Sequence, residues 1–129
     1  MRTVLSIDPG REKSGLAVVS EAGILHKEVV QTTEIPSKVG ALLQKYGVTC
    51  IIIGSGTGSA TLLKNIQSKT NLPIELVNEE NSTLRARMRF FKENPPKGLL
   101  RLIPRGMLTP NRPYDDYVAV ILAEDYINR

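Results

Sequence analysis

The stretch T-V-L-S-I-D-P-G-R-E-K-S-G-L-A-V-V-S, residues 3 to 20, decides the fold. Thr3 to Asp8 alternates, is rich in β-branched residues and stops at Pro9-Gly10, a turn signal, so it predicts a first strand. Gly15 to Ser20 predicts a second strand and Ile24 to Gln31 a third. The connections are short, Pro9 to Ser14 and Glu21-Ala22-Gly23, which argues for an antiparallel meander. After Pro36 the period changes. Val39, Leu42, Leu43 and Tyr46 recur at helical spacing, and Gly47 marks the stop. Val48 to Ile53 then predicts a buried strand, Ser59 to Lys69 a helix and Pro73 to Val77 a fifth strand. A helix from Asn81 or Ser82 to about Lys92 and a last helix from Tyr114 to Asn128 complete the order βββαβαβαα. The expected class is α/β, with a five-stranded mixed sheet whose first strand lies centrally, flanked by helices.

The 129 residues, 41% apolar and 23% charged, suit one compact domain spanning residues 1–129. The longest apolar stretch, around Val48 to Ile53, is far too short for a bilayer, and the opening residues lack a signal-peptide layout. The chain is therefore expected in the cytoplasm, with no membrane partner. One cysteine, Cys50, excludes an internal disulfide, and a single histidine, His26, excludes a zinc site of the usual kind. His26 has no neighbouring carboxylate partner in this reading and is taken as structural, as is Cys50 in its buried strand.

The net charge of +4 hides an asymmetry. Residues 85 to 112 carry Arg85, Arg87, Arg89, Lys92, Lys97, Arg101, Arg105 and Arg112 against Glu93 alone, a local +7 that leaves −3 for the rest. A clustered basic segment is the footprint of a polyanion binder or, more simply, a solvated helix face and loop. Asn94 to Pro113 holds five prolines and two glycines, so it predicts a long loop. Arg85, Arg101, Arg105 and Arg112 are the candidate phosphate contacts.

Asp8 ends the first strand, Glu79 follows the last, and Asp115 and Asp116 open the final helix. In sheets of this kind ligand sites gather outside the strand ends, which would bring these carboxylates together. Singly, each has a plainer reading as a turn former or helix cap. Jointly they form an acidic, all-oxygen site that calls for a divalent ion, Mg²⁺ or Mn²⁺ best. Two such ions support phosphodiester hydrolysis without a nucleophilic side chain.

Three motifs carry a family resemblance. S-I-D-P-G-R-E-K-S-G-L-A-V-V (6 to 19), N-E-E-N-S-T (78 to 83) and P-Y-D-D-Y-V-A-V-I-L-A-E-D-Y-I (113 to 127) resemble the YqgF/RuvX branch of the Holliday junction resolvase-like nucleases, in the RNase H-like superfamily. The resemblance spans nearly the whole chain. It implies an RNase H-like fold and metal-dependent cleavage of a DNA junction or a structured ribosomal RNA precursor. The implied catalytic set is Asp8, Glu79 and Asp115, with Asp116 as alternative or helper. Departures are visible. Asn78 stands where the family has Asp, Glu80 where it has Arg, and Val118 where RuvC-type resolvases carry a further aspartate. These departures motivate one rival, a nucleic-acid-binding module without turnover. A second rival is an ATP-handling domain of the actin and sugar-kinase type, which needs two such domains where this chain has room for one.

Gly54 to Ser59 is glycine-rich but lacks the closing Gly-Lys-Ser/Thr of a P-loop, so it reads as a strand-to-helix turn. Phe90 and Phe91 read as core. A twofold homodimer would suit a symmetric junction, and Leu99, Leu100, Leu102 and Ile103 could supply its apolar patch.

Overall fold

The computed structural model describes residues 2–56, 58–78, 82–94 and 115–128. Strands β1 (Thr3–Asp8), β2 (Lys13–Ser20) and β3 (Gly23–Gln31) form the antiparallel meander, and β4 (Cys50–Gly54) and β5 (Ile74–Val77) continue the sheet in parallel with β1. The order across the sheet is β3-β2-β1-β4-β5, so β1 is central as its sequence predicted. Helices α1 (Ile35–Lys45), α2 (Ser59–Gln67), α3 (Ser82–Glu93) and α4 (Asp115–Ile127) flank it, with a 3-10 turn at Thr32–Glu34 leading into α1.

Strand alternation divides the core in two. Leu5, Ile7, Leu16, Val18, Ile51 and Ile53 are buried against α1 and α2, while Val4, Ala17, Val19, Ile52 and Val77 pack with α3 and α4. Fully burying side chains such as Leu5 or Ile53 stabilises by roughly 1.5–3 kcal/mol each. Pro36 sits in the first turn of α1, where its missing N–H costs nothing, and Ile35, Val39 and Leu42 form the buried stripe. In α4 every residue from Asp116 to Ala123 is buried. No helix among the described residues is long and apolar enough to cross a membrane.

Several boundaries differ from expectation by one or two residues, and two of the shifts have a visible cause. β2 starts at Lys13 rather than Gly15, because Lys13 and Ser14 pair with Gln31 and Val30 of β3 beyond the point where β1 ends. β4 starts at Cys50 rather than Val48, whose N–H turns back to the Tyr46 carbonyl at 2.9 Å. Cys50 is accordingly only half-buried, and burial pushes its thiol up, away from the thiolate form. The predicted loop from Asn94 to Pro113 lies almost wholly outside the described residues.

Candidate active site

Because β1, β4 and β5 are parallel, their carboxyl ends meet one edge of the sheet. Asp8 is the last residue of β1 and alternates with Val4, which places it on the α4 face. Its cross-strand partner is Gly15. A Cβ built on Gly15 would lie 1.9 Å from the Asp115 carbonyl oxygen, 2.3 Å from its carbonyl carbon and 2.8 Å from the Asp116 nitrogen. The first turn of α4 therefore rests directly on the Gly15 backbone. That close approach, open only to glycine, sets Asp115 beside the end of β1. Sequence reading took Gly15 merely as a strand start; its role appears only when α4 is seen to cross it.

The two adjacent aspartates of α4 have different surroundings. Asp116 is 4% exposed; its Oδ1 accepts the Tyr117 N–H at 3.0 Å and its Oδ2 lies 3.6 Å from Lys27 Nζ. Lys27 also sits over the Tyr117 ring, 4.6 Å from the centroid. Asp116 is thus engaged in tying α4 to β3. Asp115 is half-buried, and burial first, then the Asp116 carboxylate, pushes it above the usual carboxylate range, opposed by its own backbone amide and by Lys13. Of the pair, Asp115 is the one whose charge a cation would relieve.

Removing Lys27 should take away a cation paired with a buried carboxylate. Lys27→Met, which keeps an apolar stem over Tyr117, is expected to cost about 2 kcal/mol, below the fully buried case because Lys27 is partly exposed. Adding Asp116→Asn should recover most of the loss. Chemical denaturation of the two single variants and the double variant measures the coupling, and strictly additive losses would refute it.

Glu79, Arg101, Arg105 and Arg112 lie outside the described residues, although the chain leaves β5 through Val77 and Asn78 at the Asp8 edge. Among the described residues no three His, Cys, Asp or Glu side chains gather as a metal group. Arg85, a candidate phosphate contact, lies apart from the Asp8 edge. It donates two hydrogen bonds to Asp125, at 2.6 and 3.0 Å, and lines a cavity with Ser20 and Gly23 at the far end of the sheet from Asp8. Arg89 likewise pairs with Glu124. These pairs, with the edge-to-face contact of Phe90 on Tyr117, join α3 to α4. His26 does have a carboxylate partner, contrary to the sequence reading. Its Nε2 pairs with Glu28, two residues on and so on the same strand face. The cations sequence reading passed over are Arg11 and Lys13, in the turn after Asp8 and at the start of β2.

No protein-family model matches this sequence, and no curated protein matches it. The fold, however, is similar to that of RuvC from Thermus thermophilus. In complex with a Holliday junction substrate, that protein superposes with a TM-score of 0.60 at 16% identity, covering 99% of this chain and 96% of that one. A second Thermus thermophilus RuvC structure gives a TM-score of 0.60 at 16% identity, covering 96% and 94%. The chain therefore has the RNase H-like α/β fold of its RuvC neighbours, as expected from its sequence.

Proposed function

We propose that this chain is a divalent-metal-dependent nuclease acting on structured nucleic acid, either Holliday-junction-like DNA or a ribosomal RNA precursor, of the YqgF/RuvX kind. The observation that carries the reading is the packing of Asp115 over Gly15, the cross-strand partner of Asp8, at the carboxyl edge of the sheet. The donor set suits Mg²⁺ or Mn²⁺. Asp8, Glu79 and Asp115 offer only oxygen, and Asp115 gains from a neighbouring positive charge. When bound, such ions supply an activated water and stabilise the leaving oxygen. The protein's own part is positional. Gly15 seats Asp115, Lys27 pairs with Asp116, and Arg101, Arg105 and Arg112 clamp phosphates. A twofold homodimer would present two such edges to a symmetric junction.

Val118 favours a second reading. It is buried among the core residues of α4, so the helix offers no further carboxylate at that position, in keeping with a binding module that has no turnover. Labelled four-way DNA junction and structured single-stranded RNA, each incubated with Mg²⁺, with Mn²⁺ and with chelator, separate the two. The nuclease reading expects cleavage with either metal and none with chelator. Binding without cleavage under every metal condition would transfer the assignment to the binding module.

A further inference from the structure

We infer that the cavity beside the turn joining β1 to β2 receives one unstacked base of a nucleic-acid strand, an inference that rests on the nucleic-acid reading above. The cavity has a volume of about 540 Å³, within the range of small-ligand sites. Pro9, Pro36 and Leu62 give it apolar walls, Thr61 and Asn65 add hydrogen-bonding groups, and Arg11 brings the one charged side chain among its lining residues. No carboxylate is among its described lining residues.

This composition matches a heteroaromatic ring. Flat apolar faces need apolar walls, and the ring edge needs groups that both donate and accept, as the Asn65 amide and the Thr61 hydroxyl do. Arg11 suits the one phosphate that accompanies each base in a polymer. The position fits as well. Pro9 and Gly10 follow Asp8 directly, so the cavity opens at the same sheet edge as the candidate site but on the α1 and α2 face. A strand held at Asp8 that crosses the turn would bring a neighbouring base to the cavity.

The turn is built to hold its shape. The Gly10 N–H donates to Ser14 Oγ at 3.0 Å, Ser14 Oγ and Thr32 Oγ1 are 2.8 Å apart, and Thr32 Oγ1 donates to the Gly10 carbonyl at 2.9 Å. The Thr32 N–H also bonds the Glu12 carbonyl at 2.8 Å. A Cβ on Gly10 would meet the Lys13 carbonyl oxygen at 2.1 Å. One wall of the cavity is thereby fixed to the strand that ends in Asp8.

The test is fluorescence anisotropy of a labelled single-stranded oligonucleotide with the full chain, in chelator so that nothing is cut. Thr61→Trp fills the cavity from an exposed position and should weaken binding about tenfold, the scale of one lost base contact. Asn65→Ala should weaken it roughly threefold, and Gln67→Ala, outside the cavity, should leave it unchanged. An abasic oligonucleotide of the same length should bind wild type as weakly as the intact one binds Thr61→Trp. Equal binding of abasic and intact oligonucleotides, or unchanged affinity in a folded Thr61→Trp protein, overturns the inference. Base-dependent binding by a wild-type protein that never cuts with Mg²⁺ or Mn²⁺ would remove the nuclease reading and leave the cavity's occupant in place.

Discussion

Gly15→Ala is expected to destabilise the protein by about 3 kcal/mol, the upper end of overpacking costs, and to lower its melting temperature by roughly 10 °C. The new methyl would sit 1.9 Å from the Asp115 carbonyl oxygen, an overlap that no rotamer change can relieve because both partners are backbone. Neither side can yield cheaply. β2 is hydrogen-bonded to β1 on one edge and β3 on the other, and α4 is buried from Asp116 to Ala123. Relief must come from lifting the first turn of α4, which also pulls Asp115 away from Asp8 and stretches the Lys27 pairing with Asp116. Activity should therefore fall further than the fraction of folded protein. Gly40→Ala is the control. Nothing lies within 4 Å of its added methyl in the middle of α1, so that variant should gain about 0.5–1 kcal/mol from reduced unfolded-chain freedom. Thermal melts of the two proteins decide the matter, and a Gly15→Ala protein melting with wild type would refute the packing of α4 on β2.

The contrast between these glycines explains how much of the molecule was legible in its sequence. Strand alternation at Thr3–Asp8 and the helical period after Pro36 are local signals, and each produced the element it predicted. The central place of β1 followed from topology rules, because short hairpins followed by a crossover leave few orders open. What sequence could not supply was the pairing of surfaces distant along the chain. Arg85 and Arg89 read as part of a basic field, yet their partners Asp125 and Glu124 lie on a helix that reaches them only after the chain has turned back. Lys27 was invisible for the same reason, since its partner Asp116 is remote in sequence. His26 with Glu28 was different. An i, i+2 spacing on a predicted strand puts both on one face, so that pair was available to a period-2 reading. The candidate site was legible only as a list of strand ends and helix starts; the packing of Asp115 on Gly15, the strand partner of Asp8, needed the fold.

Under the proposed nuclease function, Asp8→Asn and Asp115→Asn should each reduce metal-dependent cleavage by roughly 10³-fold or more while nucleic-acid binding persists, because each removes a charged oxygen from the proposed metal set and leaves the shape of the edge intact. Asp115→Asn carries a second signature. Burial and the Asp116 carboxylate raise Asp115 above its ordinary value of 3.8, so the folded state holds a proton that the unfolded chain has already released. Stability therefore falls as pH rises through that ordinary value towards the raised one, and stays reduced above it. Asparagine cannot ionise and escapes the penalty. Without metal, Asp115→Asn should melt above wild type at pH 7, and the two melting curves should converge well below pH 3.8. A carboxylate kept for stability predicts the reverse, with the asparagine variant melting lower at pH 7. Loss of cleavage together with a gain in metal-free stability would mark Asp115 as a residue held against the interests of the fold, as expected where a cation is meant to join it. Mg²⁺ titrated into wild type should then raise its melting temperature more than that of the variant, since the ion relieves a repulsion that the variant no longer has.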